Sequence, residues 1–338
     1  MLSAIRAARR SIKLESYIFA DDEIGRRFIA ALGERAAQGV VVQVHLDAAG
    51  SFFWGPRAVQ KALVQGGVQF RWFHRWSWRM PLRYNRRNHR KLLVVDGRRG
   101  FFGGFNIHRE NSRRLYGEGR WRDTHLEATG AMARDLETLF DAFWQRRQRR
   151  SPVTMTSDSS ELITNYSRRG RRFLHSLFTA RFATAKSSIH LTTPYFVPDY
   201  RTRRGLMRAA GRGVDVRLLV PHKSNEKLAQ WAAYAAYANL LAAGVHIHEY
   251  LPRMLHAKTL VVDGDWSSVG TANLDYRSFF LNYELNLASQ DPALARTLER
   301  QFRQDLLESA QVKPRHWARR SWLLRPLELI GWAGRHWL

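Results

Sequence analysis

The sequence predicts an α/β protein made of two pseudo-symmetric halves around one shared site, and three observations predict it. Val-rich apolar runs alternate with amphipathic segments along the chain, as a structure layered from strands and helices requires. Six stretches of the first half return in the same order in the second, beginning with RRSIKLESYIF (9–19) and KSSIHLTTPYFV (186–197). One of the six, NHRKLLVVDG (88–97), returns as LHAKTLVVDG (255–264) with its histidine, lysine, aspartate and glycine intact.

The elements follow in order. Each copy of the opening stretch is an apolar-alternating strand after a basic helix. QGVVVQVHLD (38–47) pairs with RGVDVRLLVP (212–221), and GGVQFRWF (66–73) with AGVHIHEY (243–250); in each a glycine ends a helix and a β-branched or alternating strand begins. The helix LAQWAAYAAYANLLAAGV (228–245) is uncharged, but Gln230 and Asn239 interrupt it. Its twin, WGPRAVQKALVQGG (54–67), carries Arg57 and Lys61. A buried or half-buried helix is therefore expected, not a membrane span. FGGFN (102–106) matches VGTAN (269–273), and ARDLETLF (133–140) matches ARTLERQF (295–302) as the closing helix. Each half thus reads strand, helix, strand, helix, strand, strand, helix, with a largely parallel sheet. The polar, Ser/Thr-rich stretch between the halves has the composition of a linker. The expected division is 1–150, a linker at 151–165, a second half at 166–312 and a basic Trp-rich tail at 313–338. A complete first half is also expected to have a further edge strand before residue 1.

The chain has 55 Lys and Arg against 29 Asp and Glu, a net charge of +26, and no cysteine. Disulfides and thiolate metal sites are excluded, and a reducing compartment fits. Such a field favours polyanions, and twelve tryptophans turn that preference toward an anionic membrane interface. The first residues, MLSAIRAARRSIKLESYIF, hold no apolar run long enough for a signal peptide or a spanning helix.

Side chains alternate along a strand, so His89 and Lys91 share a face, as do His256 and Lys258. If the halves meet about a pseudo-dyad, two imidazoles and two ammoniums converge, and that set suits phosphodiester chemistry. The lysines neutralise non-bridging oxygens, one histidine attacks phosphorus, and the other protonates the leaving alcohol and then activates the incoming one. No metal or cofactor is required. Each imidazole needs an acceptor on its far nitrogen, and Asp123 (GRWRDTHLE) and Glu284 (LNYELNL) occupy matching positions. Asn106 and Asn273 follow small-residue turns and are candidate phosphate donors. Asp96 and Asp263 fall on the opposite face, which predicts turn-stabilising or scaffold roles.

The motifs HRKLLVVD and HAKTLVVD, with LESYIF, TPYFVPD, WRDTHLEATG and GTANLDYRSFFLNYELN, resemble the phospholipase D superfamily, and within it bacterial cardiolipin synthases, over nearly the whole chain. The resemblance implies phospholipase D-like α/β/α halves with mixed, largely parallel sheets, and metal-independent phosphatidyl transfer through a phosphohistidine. Carried over, the motif residues are His89, Lys91 and Asp96 with His256, Lys258 and Asp263, and the first histidine is the implied nucleophile. Some superfamily nucleases have serine two residues after the motif asparagine; His108 and Asp275 stand there instead, which slightly disfavours a nuclease. The second-half loop PHKSNEK has Asn225 where the family often has aspartate.

Segment 70–91 interleaves six aromatics with eight Lys or Arg and reads as a loop leaning on anionic headgroups. In the tail, Trp322, Leu323, Leu327, Ile330 and Trp337 share an apolar side, and Pro326 divides it; an interfacial helix is expected. The expected activity is a cardiolipin synthase-like phosphatidyltransferase acting on phosphatidylglycerol, with phosphatidylethanolamine or cardiolipin as further candidate donors. The alternatives are a phospholipase D-type hydrolase and a nucleic-acid phosphodiesterase. The expected partners are phospholipids and an anionic membrane surface, with neither nucleic acid nor an obligate protein partner. The expected place is the cytoplasmic face of the inner membrane, peripherally bound.

Overall fold

The computed structural model describes residues 1–79, 84–146, 153–157, 159–320 and 325–334. In the first half, β1 (Ser11–Ser16), β2 (Val41–Asp47), β3 (Gln69–Phe73), β4 (Leu92–Val95), β5 (Arg99–Gly103) and β6 (His125–Thr129) form one sheet in the order β3-β2-β1-β4-β5-β6. The second sheet draws on β7 (Val153–Ser157), β8 (Ser160–Thr164), β9 (Ser188–Thr192), β11 (Asp215–Pro221), β12 (His246–Tyr250), β13 (Thr259–Val262), β14 (Trp266–Gly270), β16 (Leu285–Ser289) and β17 (Ser309–Gln311). The short β10 (Phe196–Val197) and β15 (Leu274–Asp275) pair separately. Its order is β17-β12-β11-β9-β13-β14-β16-β8-β7, so β12-β11-β9-β13-β14-β16 repeats the first sheet strand for strand.

Both sheets are mixed, but the parallel share is smaller than expected. Among the described strands of these two sheets, only β1–β2, β2–β3, β9–β11 and β11–β12 pair in parallel. Helix crossovers such as Glu23–Ala37 and Pro56–Gln65 join those strands, whereas tight turns join β4 to β5 and β13 to β14 and force antiparallel pairing. At both turns the aspartate and glycine take left-handed φ: 55° and 63° at Asp96-Gly97, 55° and 74° at Asp263-Gly264.

Among the described residues the three largest apolar cores sit as follows. One lies between the first sheet and its outer helices, with Ile12, Val44, Leu32 and Val59. A second lies under the helices Arg168–Thr184, Tyr200–Gly211 and Lys227–Ala242, with Phe182, Leu206, Tyr237 and Leu240. The third joins the halves: Leu92, Val94 and Phe102 of the first sheet and Val261, Val269 and Leu285 of the second share it with Leu136, Phe140, Ala295 and Leu298 of the two closing helices.

Three expectations are corrected. The stretch taken for a linker contributes β7 and β8; β8 pairs with β16 and β7 on its two sides, and β7 ends the second sheet. Segment 70–91 is not wholly loop: Phe70, Arg71, Trp72 and Phe73 belong to β3, and Arg87, Arg90 and Lys91 are buried, while Trp76 and Trp78 are exposed. Residues 80–83 of that segment lie outside the described residues. In the tail, Arg325–Ala333 is a helix packed back on Lys227–Ala242, so closely that a Cβ on Gly331 would meet the Ala232 nitrogen at 2.5 Å. Pro326 sits in its first turn, where no intrahelical N–H is needed, and does not break it. Leu329 and Ile330 stay exposed; Trp322, Leu323 and Trp337 lie outside the described residues. The 228–245 segment is the helix expected. Among the described residues no helix is long and apolar enough to cross a membrane.

Candidate active site

Each motif enters its strand by pairing with the other half. The His89 N–H donates to the Tyr283 carbonyl (3.0 Å) and the Tyr283 N–H to the Arg87 carbonyl (2.8 Å). Symmetrically, the His256 N–H donates to the Arg122 carbonyl (2.7 Å) and the Arg122 N–H to the Met254 carbonyl (2.8 Å). These two parallel bridges set the residue after Tyr283 and the residue after Arg122 against the histidines of the opposite halves. His89 Nδ1 meets Glu284 Oε2 at 3.0 Å, and His256 Nδ1 meets Asp123 Oδ2 at 2.6 Å. A carboxylate there holds the proton on Nδ1 and leaves the Nε2 lone pair available.

The carboxylates are themselves seated. Gly104 makes room for Asp123, since a Cβ there would fall 1.9 Å from Oδ1, and the Thr124 N–H donates to that oxygen (2.8 Å). In the other half Thr271 stands where Gly104 does in the repeat, and its hydroxyl donates to Glu284 Oε2 (2.5 Å). The shorter acid is backed by a glycine and the longer by a hydroxyl.

The lysines lie beneath the histidines. Lys91 Nζ donates to the His89 carbonyl (2.7 Å) and sits 5.2 Å from the centre of the Tyr17 ring. Lys258 Nζ donates to the His256 carbonyl and lies 2.8 Å from His256 Nδ1. Because Nδ1 already directs its proton to Asp123, that last contact is one of charge. Burial, then the facing lysine, lower Lys91 to about 7. Burial lowers Lys258 to about 8 against the pull of Asp123 and Glu284. Burial likewise brings His89 down to about 4, and burial with Lys258 brings His256 down to about 3. Burial alone would raise Asp123, but His256 and Lys258 hold it below its ordinary range.

His89 and His256 line one cavity of about 720 Å³ together with Asn106 and Asn273. The Asn106 side-chain oxygen accepts from the Ile18 N–H (3.1 Å), which leaves its amide hydrogens as the group it can offer. The Asn273 side chain hydrogen-bonds Asp275, whose carboxyl burial pushes up to about 6. Asp275 also caps the Tyr276–Phe280 helix by accepting from the Ser278 N–H (2.6 Å). His108 is buried away from that cavity's lining, against Trp121 and Trp54. Asn225 reaches the cavity and accepts from the Tyr195 hydroxyl (2.8 Å).

Asp96 and Asp263, motif residues by sequence, do not reach the cavity. Asp96 Oδ1 accepts from the N–H of Arg10 (2.7 Å) and Ser11 (2.9 Å), and Oδ2 from that of Arg9 (3.0 Å). Asp263 repeats the arrangement with Lys186 (2.9 Å), Ser187 (2.7 Å) and Ser188 (3.0 Å). Each ties its turn to the start of the neighbouring strand, the scaffold role that the face alternation predicts.

Sequence reasoning missed Tyr17, Trp121 and Asp47. Tyr17 stands edge-on to His89 (5.0 Å between ring centres) and Trp121 packs at 5.1 Å from His256. Asp47, fully buried, accepts from the Asn88 N–H (2.8 Å) and holds the entry to the first motif. A signal for Tyr17 was present: ESYIF and TPYFV align their tyrosines, and Tyr195 lines the same cavity.

Two histidine–lysine motifs on paired α/β halves, each histidine oriented by the other half's acid, define a double-motif member of the phospholipase D superfamily. Residues 1–144 and 178–306 match the family described as cardiolipin synthase, PLD-like domain, and the chain belongs to that family. It is 35% identical over 330 residues to the probable cardiolipin synthase YwiE of Bacillus subtilis (strain 168), covering 93% of this chain and 65% of that protein. It is 33% identical over 332 residues to a cardiolipin synthase of Staphylococcus aureus (strain Mu50), covering 95% of this chain and 67% of that protein. The chain thus spans about two thirds of the length of these relatives. Among solved structures its fold is similar to that of the phosphatidylserine synthase of Haemophilus influenzae Rd KW20, with a TM-score of 0.70 at 13% identity over 100% of this chain and 92% of that one.

Proposed function

We propose that the chain is a phosphatidyltransferase that moves a phosphatidyl group from one phospholipid to the headgroup hydroxyl of phosphatidylglycerol, forming cardiolipin. The observation that carries this reading is the crossed pairing, His89 with Glu284 and His256 with Asp123, on one cavity. Nε2 of His89 attacks phosphorus as the bond to the headgroup alcohol breaks, and His256 gives its proton to the leaving oxygen. The acceptor hydroxyl then attacks, the P–N bond breaks, and the proton passes to His256. Lys91 and Lys258 neutralise the phosphate, and more strongly as charge builds in the transition state, so the step needs no metal. In the empty cavity burial keeps both imidazoles neutral. An entering phosphodiester anion favours the imidazolium, so His256 takes up the missing proton from solvent.

The same reading places the protein peripherally on the cytoplasmic face of the inner membrane. Phe53 and Trp78 are 90% and 86% exposed, and Phe52 and Trp76 beside them are more than half or half exposed. Trp76 itself lines the mouth of the cavity. Aromatics of this kind among arginines suit an anionic headgroup layer.

The test is lipid mass spectrometry on vesicles of phosphatidylglycerol, with and without phosphatidylethanolamine, in EDTA. Cardiolipin is the expected product. Phosphatidic acid alone would make the chain a hydrolase, and cleavage of single-stranded DNA without either product would overturn the lipid reading. His89→Ala and His256→Ala are each expected to abolish turnover without lowering the melting temperature; undiminished activity in either would overturn the two-histidine mechanism.

A further inference from the structure

A second cleft, of about 270 Å³, adjoins the catalytic cavity. Phe52, Trp72, Trp76 and Tyr84 line it, with Arg57 and Arg75. Trp76 and Tyr84 line both spaces, their rings 5.3 Å apart and nearly perpendicular, and so form a common wall. Trp72 gives its indole N–H to Gln60 (2.6 Å), which satisfies those polar groups and leaves apolar surface between the rings. Three arginines of segment 70–91 are already committed within the fold. Arg71 donates to the Trp144 carbonyl, Arg87 faces Asp47 and Arg90 faces Glu15. Arg57 and Arg75 are exposed and meet no carboxylate among the described residues.

A transferase of the kind proposed above must hold two anionic lipids at once. Lys91 and Lys258 are committed to the phosphate under attack, and a second phosphate brought to them would meet the charge of the first. The second lipid therefore needs its own cations and its own apolar contact, within reach of the histidines. We propose that this cleft is the acceptor subsite, an inference that rests on the transfer reading. Arg57 and Arg75 hold the unreacting phosphate of phosphatidylglycerol, and an acyl chain lies along Phe52 and Trp72. The headgroup glycerol then crosses the Trp76–Tyr84 wall. There its hydroxyl oxygen attacks phosphorus, the P–N bond to His89 breaks, and the proton goes to His256.

The experiment is the partition of products by the full chain carrying Arg57→Ala and Arg75→Ala, on phosphatidylglycerol vesicles, with vesicle binding measured in parallel. Phosphatidic acid reports water as acceptor and cardiolipin reports the lipid. The expected result is a fall of about tenfold or more in the ratio of cardiolipin to phosphatidic acid, the loss of a charge-assisted contact made only to the acceptor. An unchanged ratio overturns the subsite, whether or not total turnover falls, because the arginines would then serve vesicle binding or the donor. A wild-type chain that makes phosphatidic acid and no cardiolipin defeats the transfer reading itself, and the acceptor subsite with it.

Discussion

His89 and Lys91 share a face, and the residue between them shows what the other face requires. Arg90 is wholly buried, with Nε 3.0 Å from Glu15 and Nη1 against the Tyr166 hydroxyl. The matching residue of the second motif is Ala257, so the repeat keeps the His-Lys face and varies the face that meets the core. The lysines carry a measurable consequence. In the mechanism proposed both act as cations, and burial brings them to about 7 and about 8, so their charge is lost as pH rises through that window. Since kcat/KM reports the free enzyme, it is expected to decline above about pH 7 and to steepen above 8. A plateau extending to pH 10 would place the essential cations elsewhere.

At the scale of elements, the motif aspartates tie their hairpin turns to the neighbouring strands. Burial would raise the Asp96 carboxyl, but the N–H groups of Ser11, Arg9 and Arg10 outweigh it and hold it below its ordinary value; Asp263 behaves alike with Ser187, Ser188 and Lys186. A folded-state value below the unfolded one stabilises at neutral pH, and that contribution disappears as pH falls through the lowered value. Asp96→Ala is accordingly expected to cost about 1–2 kcal/mol in urea unfolding while turnover per folded molecule is retained. Lost turnover at full stability would return Asp96 to the catalytic set.

At the scale of the whole molecule, the site exists only across the join. Asp123 serves His256 and Glu284 serves His89, each over the parallel bridge between halves. A double-mutant cycle on cardiolipin formation should therefore find Asp123→Asn and His256→Gln strongly non-additive, the second change adding little once the first is made. Additive losses for that pair would mean the halves do not share one site. The joining core of Leu92, Val94, Val261 and Val269 makes the arrangement rigid, because neither sheet can turn without exposing it.

The sequence by itself determined the duplication, the α/β class, the two His-Lys faces and the acids that could orient them, because these depend on strand period and on repeats, which are local and legible. It also determined that Asp96 and Asp263 face away, by the same alternation. Tertiary structure decided which acid meets which histidine, since that contact spans 133 residues in one case and 195 in the other and no local pattern records it. It decided too that the Ser/Thr-rich stretch forms the last two strands of the second sheet, because hydrogen bonding to β16 outweighs a composition that otherwise reads as linker. The tail helix rests on Lys227–Ala242 for a similar reason: Gly331 and the small residues of that helix let two backbones approach, and neither segment alone reveals its partner.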